Sequence, residues 1–219
     1  MTLTEEQLAK YHCDGYVVVE ELISAERVEA LKRRTREYTH GGRDAGSLIM
    51  QIEPRVSRGT DWVAHPGDGI RKIDGLVRHD DLFRELGTGP EIVSVITQIL
   101  GPDVKMYRNS LLMKPPNVGS SKGMHQDAPY WPIKPMSECS CWFALDDATP
   151  QNGCMAVIPG AHKHGALPHR KIPDDYVIDD TIAGAYSDWR TGTNSSPALS
   201  QADINALLLF GVTLEELEQ

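Results

Sequence analysis

The chain has 219 residues, 40% hydrophobic and 24% charged, with a formal net charge of −9. That length allows a domain with a substantial core, and the composition fits a globular protein. The acidic balance, without any basic run, argues against nucleic acid as a partner, and no apolar stretch reaches the roughly 18 residues of a membrane span.

In chain order, Thr4-Glu5-Glu6-Gln7 reads as a capping box, with Leu3 and Leu8 placed as a hydrophobic staple. The helix it starts should stop near Asp14-Gly15, and Tyr16-Val17-Val18-Val19 should follow as a short strand. Ser24 is set to cap a second helix with Val28, Leu31 and Tyr38 near one face. Residues 39–69 are Gly-rich and irregular, which predicts a long loop of the kind that covers sites. Residues 80–100 carry Leu82, Leu86, Ile92, Val93, Ile96 and Leu100, a helical pattern interrupted around Gly87-Thr88-Gly89-Pro90. After Gly101-Pro102 the pattern turns to strands, predicted over 104–113, 140–145, 154–158 and 207–214. Helices first and short strands later predict an α+β fold, its strands closing into a sandwich or barrel. No repeat or clear linker divides the chain, so one domain over 1–219 is expected.

Met1 to Gln7 is polar, so no signal peptide is expected. Cys13, Cys139, Cys141 and Cys154 form no C-x-x-C pair, which points to a reduced, cytoplasmic setting. Cys139 and Cys141 read as small buried side chains on an apolar strand, because a zinc site wants four ligands.

His125-Gln126-Asp127 carries the chemistry. On an extended segment, residues two apart point the same way, so His125 and Asp127 share a side and Gln126 faces the other. An imidazole and a carboxylate so placed are two of the three ligands of a non-haem Fe(II) facial triad, whose third comes from far downstream. Local chemistry alone equally allows a plain His–Asp hydrogen bond at a strand end. A second H-x-D, His79-Asp80-Asp81, opens a helical pattern, where the acids suit the positive helix terminus instead. Around His125 lie a loop, Gly119 to Gly123, and the aromatic pair Tyr130-Trp131, suited to a substrate wall.

Several segments resemble the phytanoyl-CoA dioxygenase family of Fe(II)/2-oxoglutarate-dependent oxygenases. They are Leu3-Thr4-Glu5-Glu6-Gln7 with Asp14-Gly15-Tyr16, then Gly69-Ile70-Arg71-Lys72-Ile73 and Lys114-Pro115-Pro116. His125-Gln126-Asp127 with Tyr130-Trp131 comes next, then Trp142 with Asp146-Asp147-Ala148, Asn152-Gly153-Cys154 and Ile158-Pro159-Gly160-Ala161-His162-Lys163. The resemblance implies a double-stranded β-helix, a jelly-roll core with the N-terminal helices packed on one side. It implies Fe(II), 2-oxoglutarate and O2 as cofactor and co-substrates, and a small organic or acyl substrate hydroxylated as 2-oxoglutarate is decarboxylated to succinate. His125 and Asp127 would be iron ligands, and Lys72 and Trp142 would contact 2-oxoglutarate, as an ammonium and an indole N–H suit a carboxylate. His162 falls in the family's P-G-S-H-K-like turn, which lines the site without binding iron. His164 and His169 read as solvated loop histidines.

The family's third ligand is a histidine on a late strand, followed by an arginine for the distal carboxylate of 2-oxoglutarate. No histidine follows His169, and residues 207–214 resemble that strand in a register that puts Glu215 at the ligand position. Three readings stay open: Glu215 completes the triad, Glu215 begins a solvated charged tail, or another anion fills the gap. The chain reaches Gln219 without the arginine strand, which implies a fold lacking terminal strands and a sheet edge for a partner or second copy to cover. Two functions follow from these alternatives, an active oxygenase and a non-catalytic paralogue on the same fold.

Overall fold

The computed structural model describes residues 2–131, 133–135, 137–172, 175–178 and 206–210. It is a mixed helix and strand structure, as the α+β expectation has it, with two compact units.

The first unit comprises Met1–Leu22, Val95–Asp103 and Lys122–Gln219. Helix α1 (Glu5–Asp14) starts at the expected capping box: the Thr4 side chain accepts from the Gln7 N–H, and the Gln7 side chain accepts from the Thr4 N–H. It stops at Gly15, whose φ of +80° is open to glycine at little cost. Tyr11 on α1 and Leu3 just before it are buried. The backbone of Leu3 is held at both ends by Gln98, whose Oε1 accepts from its N–H at 2.7 Å and whose Nε2 donates to its carbonyl at 3.2 Å. Strand β1 (Tyr16–Val19) alternates, with Val17 and Val19 inward.

Two further strand regions complete this unit. The strand Cys139–Trp142 and the strand Ala206–Phe210 join β1 in an antiparallel sheet in which 206–210 is the middle strand. Its register pairs Val19 with Ala206 on one side and Trp142 with Leu207 on the other. A hairpin pairs His169–Ile172 with Asp175–Ile178.

The second unit comprises Ile23–Ser94 and Val104–Ser121. Helix α2 (Ala25–Thr39) is capped by Ser24 and buries Val28, Leu31 and Tyr38, the predicted face. Strands β2 (Ile49–Ile52), β3 (Ile70–Asp74) and β4 (Ser110–Leu112) form an antiparallel sheet with β3 central. Helix α3 (Pro54–Ser57) and a 3₁₀ turn (Pro66–Gly69) lie between β2 and β3 in sequence. Helices α4 (Leu76–His79), α5 (Asp81–Thr88) and α6 (Pro90–Leu100) follow, the latter two separated at the predicted Gly-Pro break. α6 runs on into the residues of the first unit. In chain order the remaining strands are β5 (Cys139–Trp142), β6 (His169–Ile172), β7 (Asp175–Ile178) and β8 (Ala206–Phe210).

Three expectations are corrected. Residues 39–69 are not one long loop, since they hold β2, α3 and a 3₁₀ turn. β2 is a strand because β3 offers it a ladder, a non-local cause that four residues of sequence do not announce. The strand predicted over 104–113 shrinks to β4, the residues facing Lys72–Asp74 across the ladder. Residues 154–158 carry no strand; the Cys154 N–H bonds instead to the Thr149 carbonyl, closing a turn. The late apolar run forms β8 over Ala206–Phe210, as expected for the residues described, and 211–214 and Glu215 lie outside the described residues. β8 is central in its sheet, so among the described residues the edges are β1 and β5.

Candidate metal centre

The two predicted ligands come together, by a bend and not by strand alternation. His125 is in no strand, and Asp127 is helical (φ −78°, ψ −41°), opening a 3₁₀ turn over Ala128–Tyr130. The bend leaves His125 Nε2 3.4 Å from Asp127 Oδ1. His125 Nδ1–H donates to the Gly123 carbonyl at 2.8 Å, which fixes the tautomer and aims the Nε2 lone pair at the carboxylate side. Where no cation sits between them, a protonated ring donates from Nε2 to Asp127 instead, and that bond holds the imidazole pKa above its ordinary value, against the opposing pull of burial. A lone pair and a carboxylate oxygen facing each other over a partly exposed gap suit a divalent cation, and nitrogen plus oxygen donors suit Fe(II). The residues present therefore fit the metal as two of its ligands. Among the described residues no group of three or more His, Cys, Asp or Glu side chains could hold a metal ion, and Glu215 lies outside them.

Gln126 is in no strand, so the alternation expected to turn it from the ligands does not apply, and its partners lie in residues 165–169. Its Nε2 donates to the Gly165 carbonyl at 3.0 Å, and its Oε1 accepts from the Leu167 N–H at 2.8 Å. Its backbone N–H donates to His169 Nε2 at 2.9 Å. His169 is thus not a solvated loop histidine. It opens β6, is half-buried, and its Nδ1–H donates to the Leu167 carbonyl at 2.7 Å. Burial lowers its pKa.

The other expected residues divide by unit. Trp131 follows the 3₁₀ turn that ends at Tyr130, its N–H bonded to the Ala128 carbonyl at 3.2 Å, and is half-buried. Trp142 ends β5, also half-buried. His162 is buried against the end of α1: its Nε2–H donates to the His12 carbonyl at 3.1 Å, and its ring fills the space that a side chain at Gly15 would need. In the second unit, Lys72 stands on β3 with its Nζ 3.4 Å from Asp74 Oδ2. Burial lowers the Lys72 pKa, and Asp74 works against that shift. Burial also pushes the Asp74 carboxyl up, but Ser110, Arg108 and Lys72 together hold it below its ordinary value.

The sequence reading missed Glu138. Burial, then the charge of Asp127, pushes its carboxyl up to about 7, and its Oε2 is buried without a hydrogen-bond partner among the described residues. A single acid before an apolar strand gives no local signal of that neighbour. The rival H-x-D is also resolved. Asp81 pairs with Arg84 on the surface of α5, His79 meets the Ser47 hydroxyl, and Asp80 caps α5 by accepting from the Leu82 and Phe83 N–H groups.

Comparisons with known proteins give the family and the fold. The sequence model of the phytanoyl-CoA dioxygenase (PhyH) family matches residues 11–191. A phytanoyl-CoA dioxygenase 1 of Oryza sativa subsp. japonica is 28% identical over 197 residues, covering 80% of this chain and 70% of that protein. The peroxisomal phytanoyl-CoA dioxygenase of Mus musculus is 28% identical over 172 residues, 76% of this chain, and the chain spans only 50% of that relative. The crystal structure of EctD from S. alaskensis with 2-oxoglutarate and 5-hydroxyectoine superposes with a TM-score of 0.69 at 21% identity, covering 96% of this chain and 68% of that one. That likeness extends the fold assignment and nothing more.

Proposed function

Because the chain belongs to the phytanoyl-CoA dioxygenase family, whose members are Fe(II)/2-oxoglutarate-dependent dioxygenases, we propose that it hydroxylates an unactivated C–H bond of a small organic or acyl substrate. The observation that carries this reading is the His125–Asp127 pair, with Nε2 facing Oδ1 at 3.4 Å and Nδ1–H tied to Gly123. When bound, Fe(II) and 2-oxoglutarate supply activation of O2, with decarboxylation of the co-substrate to succinate. The chain's own part is to hold and to orient. His125 and Asp127 hold the metal. Lys72 and Trp142 bind the carboxylates of 2-oxoglutarate. Tyr130 and Trp131 form part of the substrate wall and keep water out. Glu215 is the proposed third ligand, and a jelly-roll core is the proposed frame.

A second reading is a non-catalytic paralogue, favoured by one observation: no third ligand stands beside the pair among the described residues. Anaerobic mixing with Fe(II) and 2-oxoglutarate decides between them. The oxygenase shows the weak visible band of the chelate and, once O2 is admitted, forms succinate. His125→Ala and Asp127→Ala abolish both. A parent chain with neither band nor succinate overturns the oxygenase reading. In an active chain, Glu215→Ala stops turnover, and full turnover in that variant removes Glu215 from the ligand set.

A further inference from the structure

The residue between the two ligands is clamped by three hydrogen bonds, all from residues 165–169. We propose that Gln126 and His169 are positioning residues of the metal centre, locking the peptide that carries His125 and Asp127 at the bend where Nε2 and Oδ1 converge. The inference rests on the proposed metal-binding reading and extends it to residues that touch no metal.

Three hydrogen bonds make the clamp, and each is specific in direction. The Gln126 amide is read at both ends, as a donor to the Gly165 carbonyl (3.0 Å) and an acceptor from the Leu167 N–H (2.8 Å). Only a primary amide matches that pair; a carboxylate would set one oxygen against the Gly165 carbonyl. The third bond uses the backbone N–H of Gln126, in the peptide that joins it to His125. Its acceptor is His169 Nε2, which is an acceptor because Nδ1–H is spent on the Leu167 carbonyl at 2.7 Å. With both ring nitrogens used, His169 is placed to orient and not to ligate. Rotation of the 125–126 peptide would swing His125 away from Asp127, and the His169 bond resists that rotation. The bend has no strand ladder of its own to do so. Groups that orient metal ligands are commonly worth 10- to 100-fold in metal affinity.

The test uses the full chain and Mn(II) as probe, with the electron paramagnetic resonance of the free ion reporting binding. His169→Phe keeps the ring volume and removes the acceptor, and Gln126→Met keeps length and removes both amide bonds. Each is expected to weaken Mn(II) binding roughly 10- to 100-fold while unfolding stays cooperative. His169→Gln, whose Oε1 reaches the position of Nε2, is expected to restore most of the affinity. Parent-like binding in His169→Phe overturns the proposal. Equal loss in His169→Phe and His169→Gln also overturns it, because the effect then follows packing and not the acceptor. A parent chain that binds no Mn(II) overturns the metal reading itself, and is told apart by His125→Ala behaving like the parent.

Discussion

Two carboxylates that follow a histidine meet different fates according to their partners. Asp127 faces an imidazole across an accessible gap, its side chain 45% exposed. Asp80 is almost wholly buried and accepts from Arg34, the Tyr38 hydroxyl and two α5 N–H groups. The first arrangement leaves room for a cation, and the second supplies one. Removing Asp80 strands a partly buried guanidinium and uncaps a helix, so Asp80→Ala is expected to lose about 3–5 kcal/mol of stability by chemical denaturation. Asp127→Ala away from metal should lose far less. Burial pushes the Asp80 carboxyl up, but Arg34 and Tyr38 hold it below its ordinary value. The folded chain therefore binds that proton less tightly than the unfolded one. Its contribution is complete above the ordinary carboxylate pKa of about 3.9 and is lost as pH falls through the lower folded value. Acid unfolding of Asp80→Asn should lack that component, and an unchanged acid limb would count against the assignment.

At the scale of elements, the capped helices and the apolar β1 were legible, while β2 and the limits of β4 were not, for one physical reason. A cap is local: Thr4 with Gln7, Ser24 and Asp80 announce their helices within a few residues. A three- or four-residue strand such as β2 or β4 exists because of its partner, which no local window contains. The same division runs through the candidate site. The H-x-D pair was legible as a pattern, while its bend, the 165–169 clamp and Glu138 depend on contacts far along the chain. The end of α1 is a further such contact. A Cβ at Gly15 would lie 2.4 Å from His162 Nδ1, at a φ of +80° that L side chains disfavour. Gly15→Ala is expected to cost about 3 kcal/mol, combining backbone strain with displacement of His162. Thr4→Ala at the other end of the same helix should cost about 1 kcal/mol. Thermal unfolding of the two variants side by side checks the ranking. Equal losses would mean that His162 moves aside freely.

For the molecule as a whole, metal and fold are linked through mass action. Fe(II) or Mn(II) binding only the folded chain should raise its stability by about 2.7 kcal/mol at one hundred times the dissociation constant. A chelator should reverse the rise, and His125→Ala should show none. A melting temperature unmoved by Mn(II) in the parent would argue against the centre. The family was legible from the order of short segments, none specific alone. Substrate was not legible, because pocket walls are assembled from separated residues. The acidic sequence carries no basic run, and no helix among the described residues is long and apolar enough to cross a membrane.

The central place of β8 has a consequence for how the protein is made. β1 leaves the ribosome early, β5 midway, and the strand that pairs with both of them last. Until residues 206–210 emerge, each waits with an unpaired ladder, open to other chains in the same state. Closure of so distant a contact is slow in general. Released chains that end before residue 206 should therefore aggregate, whereas released chains that extend through residue 210 should be protected. Pulse-labelled chains released with and without β8, compared for solubility, would reveal that step directly.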